Sequence, residues 1–531
     1  MLNHFFKVFL RTTFKNPIYS FINIAGLSVG LACSILILLW IIDEVSFDKF
    51  HADKDRIFQI MGNHAFPDGT ETLGQTPGPL AEGLAELPEV EESCRLRFGG
   101  GRMLFNYGIQ SIYEKGVFAD ISVFSVFTIP LAEGSHANPL PDIHSIAISK
   151  KLADKYFKNE SALGKVVRLD SRSEAKVTAV FNDLPTNSSL QFDFIVPYAV
   201  YSQRDQYNKE WGAWTGGQTF VKLMRGANTE HVNQKINEVL TKPKIWPRWD
   251  SNVELFLFSI SDLRLHNSFN NGLPDGGRIS YVKIFSVVAG FILLIACINF
   301  MNLATARSLN RAKEIGIRKV VGAARPSLTK QFIGESILTA LVALAFGLFM
   351  VELLLPYFNE LTDKKLVIDY LNPVTGIIFI SMAVLTGLIA GSYPAFFLSS
   401  LKAVSVLKGK FSGLTGTGIR KALVVFQFGI SIVLIISALA VYHQLDFMKK
   451  MSLGFDSENL VYFGATPNLL KHFEEFRQEL LQTSPISSVA RSDNNPMNNF
   501  SGMVLGDNAW PGKTKEDNLI FKTLACDDYF L

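Results

Sequence analysis

The sequence predicts a multi-pass α-helical membrane protein with an α+β extracytoplasmic domain. Three observations predict it. Five apolar runs are long enough to cross a bilayer, the basic residues crowd into three short segments between them, and one long polar stretch mixes strand and helix signals. Of the 531 residues, 48% are hydrophobic and 19% charged, a balance that suits membrane segments joined to ordinary soluble domains.

A helix needs about 20 consecutive, mostly apolar residues to span the hydrocarbon core. The runs are Phe21 to Ile42, Ile284 to Ala304, Phe332 to Leu355, Val374 to Leu398 and Ala422 to Val441. In chain order this gives an inner N-terminus at 1–17, a first span at 18–42, an outer domain at 43–283 and a second span at 284–305. An inner loop at 306–330, a third span at 331–355, a short outer loop at 356–373 and a fourth span at 374–398 follow. The chain continues with an inner loop at 399–421, a fifth span at 422–441 and an outer segment at 442–531. Lys7, Arg11 and Lys15 precede the first run as they would a signal peptide, but the run is too long and no small-x-small cleavage pattern ends it. Cys33 has Gly30, not Leu, three residues before it, so a lipoprotein signal is excluded and an uncleaved anchor is expected.

Orientation follows from the cations, which favour the cytoplasmic side. With the N-terminus inside, segments 1–17, 306–330 and 399–421 hold fifteen Lys and Arg against one acid, Glu314. Of the chain's 51 basic and 48 acidic residues, 36 and 47 remain elsewhere, so the small net charge of +3 hides a strong division by side.

In the outer domain Val166 to Leu169 and Lys176 to Phe181 alternate like strands, and Ile57 to Met61, Ile146 to Ile148, Phe192 to Val196 and Thr219 to Leu223 read as further strands. Leu80 to Leu87 and Thr229 to Leu240 read as helices, and a further helix starts at Ser149. The polar residues form no catalytic constellation, which argues against a membrane-anchored enzyme. His51, His64 and His144 are expected at the surface rather than as metal ligands, and no metal or cofactor is expected. The four cysteines, Cys33, Cys94, Cys297 and Cys526, form neither a CxxC site nor a disulfide framework.

The chain partly repeats itself. A basic stretch, an apolar span, an aromatic-and-charged leader and a short β-like run occur over 7–60 and again over 408–463, ending at Ile57 to Met61 and Leu460 to Phe463. A period of about 400 implies ~800 residues for two full units, so the chain is expected to stop inside the second.

Small residues four apart let membrane helices approach closely. Gly26 and Gly30, with Ser34 one turn later, form such a face in the first span, and Gly387 and Gly391 form one in the fourth. Pro394 is expected to kink or end the fourth span. Glu335 and Glu352 lie near opposite ends of the third, where a carboxylate can face protein or reach the interface.

The most informative segment follows the second span. Arg311 to Ala323 reads R-A-K-E-I-G-I-R-K-V-V-G-A. This run resembles the signature of FtsX-like permeases, the group that includes MacB-like proteins. Leu294 to Asn302 (LIACINFMN) and Gly391-Ser392-Tyr393-Pro394-Ala395 are similar to the same family, which places an FtsX-like permease domain at 284–405. Lys15-Asn16-Pro17 through Phe50-His51 and Asp55-Arg56-Ile57 resemble the start of a MacB-like periplasmic core domain, expected over 43–283.

The resemblance implies a permease subunit of an ABC transporter in the bacterial inner membrane, with a periplasmic outer domain. Such a subunit takes work from an ATPase on its cytoplasmic face, and a basic helix can offer apolar anchors to a groove there. Ile315, Ile317, Val320 and Val321 are the candidate anchors. Arg307, Arg311, Arg318 and Lys319 are candidates to pair with acids on the ATPase or with lipid phosphates, and Lys313 and Glu314 lie among them. Gly316 and Gly322 permit close approach or a helix end. A P-loop needs G-x-x-x-x-G-K-[ST]; at Gly512-Lys513-Thr514 the required first glycine is Asp507, so the chain is not expected to be the ATPase itself. The implied partners are a cytoplasmic ABC ATPase in trans, a second copy or a related permease, membrane lipids, and a periplasmic adaptor with an outer-membrane channel; nucleic acid is not among them. The implied function is export or extraction of a periplasmic or lipidic substrate. The alternative is an FtsX-like transducer regulating a periplasmic hydrolase or an antibiotic-peptide response.

Overall fold

The computed structural model describes residues 17–66, 69–98, 102–158, 160–170, 173–211, 214–241, 253–321, 324–400, 417–451, 459–483, 485–492, 501–504, 520–523 and 525–528. They divide into two compact units, residues 1–45 with 279–451 and residues 46–278 with 452–531.

The first unit is built from five long helices, each apolar enough over its length to cross a membrane. They are α1 (Pro17–Ser46), α2 (Arg278–Val320), α3 (Arg325–Thr362), α4 (Pro373–Ser400) and α5 (Thr417–Lys450). Their starts follow local rules. Proline with its preset φ occupies the first turn of α1, α3 and α4. The Asn372 side chain accepts the Val374 N–H at 2.9 Å and caps α4. Asp363 ends α3 in the left-handed region, with φ 50°. Pro394 lies inside α4 without ending it, as membrane helices allow.

Helices α1 to α4 share one apolar core. Leu27, Leu31 and Ile35 of α1 meet Ala296, Cys297 and Phe300 of α2, Ala340, Ala343 and Val351 of α3, and Phe379, Ala383 and Ala390 of α4. In α5, by contrast, Val425, Phe428, Ile432, Ile436 and Leu439 are all exposed, as suits a helix whose solvent is lipid.

In the second unit thirteen strands join one mixed sheet. They are β1 (Ile57–Phe66), β2 (Gly69–Leu73), β3 (Val90–Phe98), β4 (Met103–Tyr107), β5 (Gln110–Glu114), β6 (Gly116–Ala119) and β7 (Leu131–Gly134), then β8 (Ser145–Ser149), β9 (Val166–Leu169), β10 (Ser173–Phe181), β11 (Phe194–Pro197), β12 (Gln218–Leu223) and β13 (Val253–Ser259). The main path runs β13-β1-β12-β3-β6-β11-β8-β10-β9-β4-β5, with β2 beside β1 and β7 beside β10. The β6–β11 and β8–β10 pairs are parallel.

Helices Leu80–Ala85 and Thr229–Thr241 bury Leu80, Leu84, Val232 and Ile236 against Ile60, Val221 and Leu255 at one end of the sheet. Helix Lys150–Phe157 buries Leu152, Tyr156 and Phe157 against Ile146, Val177 and Phe194 at the other. Ser149 caps that helix by accepting the Leu152 N–H at 3.1 Å. Between the two ends, Arg95 holds both oxygens of Asp120 at 2.8 and 2.9 Å and stacks on the Tyr198 ring.

Three expectations change. Most of the segment expected as an inner loop is helix, because α2 runs on to Val320 and α3 begins at Arg325. Falling hydropathy marks the edge of the membrane, not the end of a helix, and residues 306–320 contain no proline to stop it. Leu460 to Phe463 form no strand, and no partner strand for them occurs among the described residues. His51 and His64 are buried rather than surface residues, whereas His144 is exposed. Lys7, Arg11, Lys15 and residues 401–416, with Lys402, Lys408 and Lys410, lie outside the described residues, as does Gly512-Lys513-Thr514.

Candidate functional site

The end of α2 that follows its apolar stretch is the candidate site. Its helix continues unbroken from the apolar stretch into the basic motif. Arg307, Arg311, Lys313, Glu314, Ile315 and Gly316 fall on that helical backbone, with side chains outside what is described, and Gly322 lies outside the described residues. Beyond them Ile317, Val320 and Val321 are 56, 64 and 83% exposed. Their i, i+3, i+4 spacing puts them on one face, so the end of α2 carries a short apolar ridge facing outward.

The neighbouring cations point elsewhere. Arg318 Nη1 donates to Gln331 Oε1 at 3.2 Å, and Gln331 Nε2 donates to Glu335 Oε1 at 3.0 Å. Lys319 Nζ donates to the Ser399 carbonyl at 2.6 Å. These two motif residues therefore have partners inside the protein, on α3 and α4.

Above this end the helices touch through small residues. A Cβ on Gly30 would sit 2.5 Å from the Ala296 Cβ, and one on Gly26 would sit 3.3 Å from Asn299 Nδ2. On the other faces, a Cβ at Gly387 would meet the Ile337 Cα at 2.7 Å and one at Gly391 would meet Ser336 at 2.6 Å. Gly347 of α3 lies against the Ser28 carbonyl of α1 in the same way, at 3.2 Å. The two GxxxG faces thus lie at the α1–α2 and α3–α4 seams, and Pro394 lies just past the second.

At the opposite end of the bundle, the turn after α3 is pinned to α1. Lys364, 9% exposed in its side chain, pairs with Asp43 and with Glu44 Oε1 at 2.8 Å, and its ammonium lies over the Trp40 ring. The Glu44 side chain is fully buried. On α3, Glu352 accepts the Tyr370 hydroxyl at 2.6 Å.

Within the second unit, hydrogen bonds fix the leader turn that begins at Ser46. Asn187 Nδ2 donates to Ser46 Oγ at 2.9 Å, the Ser189 N–H donates to Asp48 Oδ1 at 2.8 Å, and Asp48 takes φ 58°. His51 Nδ1 accepts the Thr128 N–H at 3.1 Å, and burial pushes its pKa down to about 4. Burial raises the pKa of Asp48, against the hydrogen bonds from Ser188 and Ser189.

Sequence reasoning missed Lys364 with its two acids, Ser399, and the Asn187–Ser189 clamp. The only local signal was Asp43-Glu44 directly after an apolar run, an unusual place for two adjacent carboxylates. Among the described residues no cluster of metal-ligand type occurs.

Two family models match the chain, the MacB-like periplasmic core domain over residues 20–239 and the FtsX-like permease C-terminal over residues 286–403. The chain is 23% identical over 443 residues to the ABC transporter permease YvrN of Bacillus subtilis, covering 77% of this chain and all of that protein. It is 24% identical over 284 residues to the macrolide export ATP-binding/permease protein MacB of Salmonella choleraesuis, covering 51% of this chain and 39% of that protein. The crystal structure of the periplasmic region of MacB from Actinobacillus actinomycetemcomitans aligns with 39% of this chain at 14% identity and a TM-score of 0.30.

Proposed function

Because the chain belongs to the MacB-like, FtsX-like family of ABC transporter permeases, we propose that it is the membrane subunit through which a separate cytoplasmic ATPase moves the outer domain. The motion drives export or extraction of a periplasmic or lipidic substrate. The observation that carries this reading is the apolar ridge of Ile317, Val320 and Val321 at the end of an unbroken α2. A helix presenting spaced apolar anchors is a standard way to engage a groove on a partner.

The division of charge supports an orientation with the N-terminus and this ridge in the cytoplasm and residues 46–278 in the periplasm of an inner membrane. The names of the relatives support the rest. MacB is described as an ATP-binding/permease protein for macrolide export, and the permease YvrN matches over its whole length. On this reading the ATP-binding part acts in trans, beside a second copy of this permease or a related one and membrane lipids. A periplasmic adaptor and an outer-membrane channel complete an exporter. Glycine seams join α1 to α2 and α3 to α4, so a load on the ridge reaches packed helices whose interfaces favour discrete rather than continuous rearrangement.

The test is affinity purification of the full chain, solubilised from the membrane that naturally contains it, with mass spectrometry of the companions. The reading expects an ABC ATPase together with periplasmic export components. Recovery of the permease with a periplasmic hydrolase and no ATPase would overturn it.

A further inference from the structure

The inner ends of three helices meet at one buried residue. Ser399 lies in the last turn of α4. Its carbonyl accepts from Lys319 Nζ at 2.6 Å, and its hydroxyl accepts from Arg325 Nε at 3.4 Å while donating to the Phe396 carbonyl at 3.2 Å. Lys319 belongs to the end of α2 and Arg325 is the first residue of α3. The chemistry suits the place. A helix leaves its last four carbonyls without intrahelical donors, and the partial negative charge gathered there favours a cation. Lys319 is half-buried, between the exposed Arg318 and Val320.

We propose that Lys319 is a positioning residue, which closes the α2–α3 hairpin onto the inner end of α4 and so holds the Ile317–Val321 ridge in a fixed place. The functional consequence rests on the reading of that ridge as the surface that receives a cytoplasmic ATPase. The basic motif then divides its labour. Its apolar residues face the partner, and Lys319 serves the permease itself by making the platform stiff. Arg318 adds a second tie through Gln331 to Glu335, one turn further along α3. A load taken by Ile317, Val320 and Val321 passes into α4 as well as α2.

The experiment uses the full chain in lipid nanodiscs, with its four natural cysteines replaced by alanine. Spin labels go on Val321→Cys and Phe396→Cys, both at exposed positions. Wild-type Lys319 gives one narrow distance distribution. Lys319→Met keeps the aliphatic stem but loses the donor, and the single peak is lost. Lys319→Arg restores it, because a guanidinium reaches the same carbonyl. An unchanged narrow peak in Lys319→Met overturns the proposal. A second readout uses the ATPase recovered with the wild-type chain. Lys319→Met captures it undiminished yet loses permease-dependent ATP turnover, and Lys319→Arg recovers that turnover. Capture and turnover lost together would overturn the positioning role. If no ATPase accompanies the wild-type chain, the coupling reading fails while the distance measurement still decides the clasp.

Discussion

Gly30 of α1 and Ala296 of α2 approach so closely that a methyl group added at position 30 would lie 2.5 Å from the Ala296 Cβ. No pair of non-bonded carbon atoms tolerates that distance, so the two helices sit where they do because residue 30 has no side chain. The next heavy atoms are the Ile292 carbonyl and the Ala296 Cα, at 3.8 and 3.9 Å, so the space closed by one methyl would be opened by removing the other.

That relationship predicts a compensating pair. Gly30→Ala alone forces the seam apart and lowers stability by about 1–3 kcal/mol, the usual range for overpacking. Adding Ala296→Gly removes the clash and leaves the double variant within about 1 kcal/mol of wild type, the helix-propensity cost of the new glycine. Thermal unfolding in detergent checks this. Two penalties that simply add would show that the seam is looser than described.

Lys364 supports a second prediction. Replacing it by Met takes the Lys364 ammonium away from Glu44 and Asp43 in a site where Glu44 is fully buried. Breaking such a pair from one side costs about 3 kcal/mol, and Lys364→Met should melt correspondingly earlier. The triple variant with Asp43→Asn and Glu44→Gln removes both negative charges as well and should recover most of the loss. A triple variant as unstable as the single would contradict the electrostatic account.

A third prediction concerns pH. His51 is 2% exposed and its Nδ1 accepts the Thr128 N–H, so protonation breaks a hydrogen bond and charges a buried ring. Its pKa falls from 6.5 to about 4 on folding. Between those values the unfolded chain binds the proton and the folded one does not. The stabilisation is therefore full above pH 6.5 and is lost as pH falls toward 4, by up to about 3 kcal/mol. The facing rings are Phe50 and Phe127, and the charged groups in the turn are Asp48 and, acting on it, Arg264. Asp48, with its raised pKa, works in the opposite sense at the acid end. His51→Asn keeps an acceptor for Thr128 and should flatten the wild-type slope between pH 7 and 5. An unchanged slope in that variant would assign the dependence to other groups.

Much of the architecture was legible because it rests on local chemistry. The five apolar runs became five helices, and the short apolar strand at Ile146 to Ile148 passes into a helix started at Ser149, as the sequence implied. The spacing of Gly26 with Gly30 and of Gly387 with Gly391 marked residues that do lie at helix contacts. What could not be read depends on partners far apart in the chain. Lys319 lies 80 residues from Ser399 and Lys364 lies 321 from Asp43, and no local pattern announces either bond. His51 misled for a related reason. A histidine in a charged leader reads as exposed, but the Phe127–Thr128 segment folds over it from a distant part of the domain. The helical course of α2 past the membrane was hidden because hydropathy reports the solvent rather than the backbone.

In the proposed function, the ridge at the end of α2 receives a cytoplasmic ATPase. The most direct measurement compares wild type with the Ile317→Ser, Val320→Ser, Val321→Ser triple variant, purified from the native membrane at equal yield, with the co-purified ABC ATPase quantified by mass spectrometry. An ATPase is expected in the wild-type sample, and its loss is expected from the variant. Capture at the wild-type level by the variant would contradict it.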